Sequence, residues 1–229
     1  MSDASAPHSR ARRAATTGAA ADGASPARAP GWAGTTIEDR RRARQGRLLD
    51  AGLDLMGSGG TAAVTVRSVC RSARLTERYF YESFTDRDAF LLAVYERVAL
   101  EAQQALAAAV AASPPDPPAR ARAVVEAFMG IVIDDPRKGR VLLLEAFGDP
   151  TLAAAGANLL PSFGALIEDQ LPGEAGGRGP LRAMSAVSMV GALAHLFSAW
   201  LDGSITPSRR QLVDHAVAVV LAHVALAAG

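Results

Sequence analysis

An all-α fold is predicted by three features of this 229-residue sequence. Its apolar content of 49% is carried mostly by alanine, runs of β-branched residues are few, and apolar positions recur at helical steps between proline and glycine breaks. Strand-like alternation and internal repeats are absent. About nine helices are expected: an N-terminal three-helix helix-turn-helix domain over 35–90, then a helical body over 91–229. The length suffices for one or two domains with a real core.

Residues 1–34 contain Ala, Ser, Pro, Gly and Arg, with almost no large apolar residue before Trp32. Such a segment cannot bury enough surface to offset its ordering entropy, so a disordered tail is expected. The alternative is a basic arm, Arg10, Arg12 and Arg13, lying in a DNA minor groove. Helical periodicity begins near Ile37. Leu48, Leu49, Gly52, Leu53 and Met56 share a face, and Arg40, Arg41, Arg44 and Arg47 occupy the others. GSGG at 57–60 ends this helix. Thr65 opens a second helix through Ser72, Thr76 a third through Phe84, and Asp86 caps a fourth that reaches about Ala112 before PPDPP at 114–118. Proline and glycine breaks then bound helices near 119–134, 137–147, 152–171, 181–202 and 208–227.

The charge is uneven. Residues 35–90 hold ten basic against eight acidic side chains, whereas 91–229 hold ten against thirteen. A basic front end is compatible with nucleic acid. Of the 24 basic residues only Lys138 is lysine, so arginine abundance here reads as composition rather than function. The single cysteine, Cys70, excludes an internal disulfide and a multi-cysteine metal site, and a reducing cytoplasm fits. Arg12 and Arg13 precede no apolar run, so a secretory signal is not expected. Residues 184–201 carry no formal charge and reach the length of a membrane span. With His195, three serines and a glycine inside it, that segment is expected to be a helix buried on all sides, and no membrane partner is expected.

Four of the chain's twelve aromatic residues, Tyr79, Phe80, Tyr81 and Phe84, fall within LTERYFYESF at 75–84. Two helices joined at Ala73-Arg74-Leu75 need small or apolar residues where they touch, and Val69, Cys70, Ala73, Leu75 and Phe80 supply them. Cys70 is then a packed small residue. Phe80 and Phe84 share one helical face and anchor the third helix. Tyr79 and Tyr81 flank that stripe, leaving Glu77, Arg78 and Tyr79 as the first turn after Thr76. That turn of a recognition helix reaches base edges in the major groove.

The run LLDAGLDLMGSGGTAAVTVRSVCRSARLTERYFYESFTDRDAFLLAV resembles the DNA-binding domain of tetracycline-repressor (TetR) family transcription regulators. Thr65, Leu75-Thr76, Phe80-Tyr81, Phe84 and Asp86-Arg87-Asp88 are its specific points. VGALAHLFSAWLDGSITPSRRQLVDHAVAVV resembles the family's last two helices. The resemblance implies that positions 77, 78 and 79 face bases, and that Thr65, Tyr81, Ser83 and Arg87 contact phosphates; Arg67 and Thr76 complete the expected DNA-binding set. Arg78 could read guanine in bidentate fashion and Glu77 accept from cytosine, a pairing worth roughly 1–3 kcal/mol of discrimination. In the absence of DNA an Arg78–Glu82 pair is expected. Two departures stand out: Arg74 occupies a turn position where the family usually has glycine, and Arg78 one that is often small. A left-handed Arg74 would cost on the order of 1 kcal/mol.

For the body, the resemblance implies a homodimer through the last two helices, closed by the Gly191/Ala194/Ser198 row with bulk from Leu193, Phe197 and Trp200. It also implies a cavity for a small-molecule effector, with Phe128, Met129, Val132, Leu144, Phe147, Phe163, Ile167 and Trp200 as candidate walls. Methionine and aromatic walls suit a hydrophobic effector. Asp134 and Glu145, if buried, could orient a polar group. His195, His215 and His223 have neither ligand spacing nor a carboxylate cluster, so no metal is expected; no motif for a cofactor is present either. The implied activity is repression at a palindromic double-stranded DNA operator, relieved by the effector. The alternative is a constitutive or architectural DNA-binding protein of the same fold. An enzyme would need a nucleophile–base pair, a metal spacing or a phosphate loop, and the sequence offers none.

Overall fold

The computed structural model describes residues 36–168 and 180–228, excluding the side chains of 160–161, 164–168 and 227–228. The expected tail over 1–34, with its basic arm, lies outside the described residues. Helix α1 spans Ile37–Gly59. Its start is set by a capping box in which Thr36 Oγ1 accepts from the Asp39 amide at 3.0 Å and the Asp39 carboxylate accepts from the Thr36 amide at 3.1 Å. Its end is set by Gly60, at φ 70°, whose amide donates to Met56 O. A 3-10 turn, Thr61–Ala63, leads into α2, Val66–Ala73, and then α3, Glu77–Tyr81.

The third helix is shorter than the sequence suggests, ending at Tyr81 rather than Phe84. The Phe84 amide still donates to Phe80 O at 2.9 Å, so the two phenylalanines keep the one-turn stagger the periodicity predicts. Helix α4, Arg87–Ala112, is capped by Asp86, whose carboxylate accepts from the Ala89 amide at 2.8 Å. It forms the spine of the molecule. Phe90, Leu91, Val94, Val98 and Ala102 are buried along it, and it packs on α1, on α5 (Pro117–Asp134) and on α8 (Pro150–Glu168). At its first half α1 comes close enough that a Cβ on Gly52 would stand 2.6 Å from the Phe90 ring.

Residues 137–147 do not form one regular helix. A short turn, α6 at Pro136–Gly139, runs into a π-helical segment, Arg140–Glu145, and closes in α7, Ala146–Gly148. The wider turn alters the angular spacing of the side chains, so the ordinary 100° step no longer gives the facing. The last helices are α9, Pro180–Leu201, and α10, Arg209–Ala228, which pack on each other while α10 also covers α5.

Helix α9 is long and apolar enough to cross a membrane by length and composition alone. The expectation that it is buried on all sides is not met: Leu181, Met184 and Val187 are each more than half exposed, while Ser185, Ala186, Met189, Phe197 and Ser198 are buried. The uncharged composition over 184–201 gave no polar face from which to read the rotation of the helix.

Candidate functional site

The head of the molecule is built from α1, α2, α3 and the start of α4. Thr65 caps α2 by accepting from the Ser68 amide at 3.0 Å, while Ser68 Oγ accepts from the Thr65 amide at 2.8 Å. Arg74 ends that helix in the left-handed region, at φ 53° and ψ 46°, where glycine would be unstrained. The Leu75 amide then donates to Cys70 O at 2.9 Å, which turns the chain toward α3. Val69, Cys70 and Ala73 are buried in the joint, and burial, with Glu77 nearby, pushes the Cys70 thiol up from its ordinary pKa.

Phe80 is fully buried and meets Phe84 and Phe90 with ring centroids at 5.5 and 5.2 Å. This cluster fixes the angle of α3 against the spine helix. The outward side carries the rest of the expected set. Glu77 and Arg78 are exposed, Tyr81 is 57% exposed, and Tyr79 is half-buried. Thr76 occupies the N-cap position but makes no side-chain cap bond, so its exposed hydroxyl is not used by the helix. Arg78 Nε pairs with Glu82 Oε1 at 3.0 Å, as the spacing predicts, and Arg67 lies 3.7 Å from Glu77. Ser83 is half-buried beside them. Arg87 is tied inward: Nε donates to Val64 O at 2.8 Å and Nη2 to Thr61 O at 2.7 Å, and Nη1 pairs with Asp88. Its structural work is to join α4 to the turn after α1.

Three arginines of α1 do more than the sequence reading assigned to them. Arg41 donates to Glu82 O at 2.9 Å, Arg47 donates to Ala73 O, and the Arg44 guanidinium sits 4.5 Å from the centre of the Tyr79 ring. Arg41 and Arg44 thus hold α3 from behind, and Arg47 holds the end of α2. Their spacing of three residues on one face was visible; their partners, two of them backbone carbonyls, were not.

Behind the head, a cavity of about 430 Å³, partly open to solvent, lies among α4, α5, the π-turn, α8, α9 and α10. Phe128 and Phe163 stand on its wall as expected, with Phe128 stacked on Phe197 at 5.2 Å. The other candidates whose side chains are described do not. Met129 and Val132 are fully buried behind the wall, Trp200 is half-buried outside it, and the Ile167 side chain lies outside the described ones. Leu144 is also off the wall and Phe147 is 66% exposed, because the π-turn instead brings Leu142 and Leu143 to the cavity. Asp134 is exposed. Glu145 is sheltered but serves the fold: it accepts from the Thr61 amide at 2.9 Å and pairs with Arg140 Nε at 2.9 Å. Gly60 makes room for that carboxylate, since a Cβ there would stand 2.9 Å from Glu145 Oε1.

The row expected to face a second copy is partly inward as well. Ala194 lines the cavity, and the buried Ser198 hydroxyl donates to Ala194 O at 2.8 Å and Leu143 O at 3.2 Å. His195 and His215 are exposed, and His223 Nδ1 donates to Val219 O at 2.8 Å. Among the described residues no group of three His, Cys, Asp or Glu side chains converges.

Comparison with known proteins agrees with this fold. Residues 48–94 match the family model for bacterial regulatory proteins of the tetR family. No curated protein sequence matches the chain. Among solved structures, the fatty acid degradation regulator FadR of Bacillus halodurans superposes with a TM-score of 0.65 at 13% identity, covering 78% of this chain and 94% of that one. A tetR-family transcriptional regulator from Streptomyces coelicolor gives 0.64 at 17% identity, covering 81% and 80%. FadR from Bacillus subtilis, in complex with stearoyl-CoA, gives 0.63 at 13% identity, covering 78% and 96%. Residues 48–94 thus match the tetR-family domain, and the described chain shares the all-helical fold of these regulators.

Proposed function

We propose that this protein is a dimeric repressor whose residues 35–90 read a palindromic DNA operator and whose residues 91–229 bind the small apolar molecule that releases it. The observation that carries this reading is the position of α4. One end of the helix stacks Phe90 against the reading helix, and the other lines the apolar cavity with Leu106 and Val110. A molecule that fits the cavity differently in two arrangements of α4 would bias the spacing of two reading heads. The π-turn supplies a second link, since Leu142 and Leu143 face the cavity while Glu145 in the same turn grips the Thr61 amide. Arg87 holds the same short segment from the other side.

Base contact falls to Glu77, Arg78 and Tyr79, and phosphate contact to Thr65, Arg67, Thr76, Tyr81 and Ser83 with the α2 and α3 termini. Arg87 contributes through its remaining N–H groups. The effector class follows from the wall: aromatic and aliphatic side chains line a volume typical of small-molecule sites. That the Bacillus subtilis FadR structure contains stearoyl-CoA is in keeping with an apolar effector here. A cavity of this size also argues against a constitutive or architectural role. The exposed Leu181, Met184 and Val187 of α9 form the face assigned to the second copy.

Two measurements test the proposal. Sedimentation should show a dimer that Met184→Arg converts to a monomer. Operator binding should weaken when an effector is added, and a 100-fold loss requires about 2.7 kcal/mol of differential binding between the two states. An effector that binds tightly and leaves operator affinity unchanged would overturn it.

A further inference from the structure

The described wall of the cavity carries only two polar side chains, Tyr95 and Arg120. Tyr95 projects from the middle of α4, is 6% exposed, and its hydroxyl has no hydrogen-bond partner among the described residues. The hydroxyl opens onto the cavity rather than being sealed in the core, and a phenol in an apolar wall is normally placed where its O–H finds an acceptor. The backbone beside it keeps the hydroxyl clear: Gly156 of α8 has no side chain, and a Cβ there would stand 3.2 Å from the Tyr95 oxygen. Burial raises the phenol's pKa, so the group remains a neutral donor at physiological pH.

We infer that Tyr95 is the specificity-determining residue of this cavity, donating a hydrogen bond to an acceptor oxygen, a carbonyl or ester, borne on the apolar body of the effector. The inference rests on the proposal that the cavity is the effector site. It also gives the effector a handle on the spine helix. Tyr95 lies five residues from Phe90, or about 7.5 Å along the axis, and Phe90 stacks on the aromatic cluster of the reading head. A ligand that engages the hydroxyl therefore acts on the helix that joins cavity and head. A hydrocarbon of the same shape would fill the space and leave the donor unpaired.

The test uses benzophenone and diphenylmethane, which differ only by a carbonyl in place of a methylene, titrated calorimetrically into the full-length protein and into Tyr95→Phe. The wild type should bind benzophenone about tenfold more tightly than diphenylmethane, the scale of one buried hydrogen bond made or left unmade. Tyr95→Phe, which keeps the ring and its packing, should lose that preference while holding diphenylmethane as well as the wild type does. The benzophenone carbonyl stretch should move to lower wavenumber in the wild type and not in the variant. Equal binding of both probes by the wild type overturns the inference and leaves the apolar cavity standing as a ligand site. A preference that survives in Tyr95→Phe overturns it too. If neither probe binds, the cavity reading beneath it falls and the inference falls with it.

Discussion

Replacing Arg74 by glycine should stabilise the protein, because Arg74 is the one described non-glycine residue with positive φ. At φ 53° and ψ 46° its Cβ crowds the following carbonyl, a conformation that costs an L-residue roughly 1–2 kcal/mol. Glycine removes that cost but gives back about 0.5–1 kcal/mol through the greater freedom of its unfolded chain. The net gain is about 0.5–1 kcal/mol, or a rise in Tm of roughly 1–4 °C for a domain of this size. Arg74→Ala is the control, since it removes the same side chain and keeps the strained backbone. Thermal unfolding followed by circular dichroism should therefore rank the glycine variant above alanine, with alanine near the wild type. DNA affinity should move differently: both variants lose one positive charge beside the reading helix, and both should show a shallower salt dependence by about one unit if Arg74 contacts phosphate. A glycine variant no more stable than the alanine variant would refute the argument from backbone strain.

Other perturbations have equally definite outcomes. Gly52→Ala places a methyl group 2.6 Å from the Phe90 ring and 2.7 Å from a Val94 methyl, so it should destabilise by about 1–3 kcal/mol, read as a lowered denaturant midpoint. Cys70 should react with iodoacetamide far more slowly in the folded protein than in urea at the same pH, because burial both shields the thiol and raises its pKa. Asp135 caps α6 and is held below its ordinary pKa by its hydrogen bonds with Arg137, which also reaches Asp54 of α1. Its depressed pKa contributes stability that is present above the ordinary aspartate value of 3.8 and lost as pH falls through the folded value. The stability gap between wild type and Asp135→Asn should therefore be full at neutral pH and close below about pH 4.

How far the sequence could be read depended on how local the determining physics was. Thr65 and Asp86 announce helix starts through caps that need only the next three residues, and both are used as expected. Phe80 and Phe84 were legible because the inward side of α3 and of the turn that follows it must be apolar. The cavity wall was not, for two reasons. Over 140–145 the π-turn breaks the angular step on which the placement of Leu144 and Phe147 relied. In α9 the uncharged run 184–201 gave no polar face, so Ala194 and Ser198 were assigned outward although they face the chain's own core. Tyr95 was passed over because nothing local marks it; its significance lies in what surrounds it. The same holds for Glu145, whose partner Thr61 is 84 residues away.

The most direct test of the central claim is fluorescence anisotropy on a labelled duplex taken from the DNA upstream of the protein's own coding sequence, against a scrambled duplex, at physiological salt. The account predicts at least about 10³-fold tighter binding to the upstream duplex. It predicts that this preference disappears in a folded Arg78→Ala, Tyr79→Ala variant, because those side chains stand on the outward face of α3. A variant that keeps the full preference would contradict the account, since sequence would then be read elsewhere on the molecule.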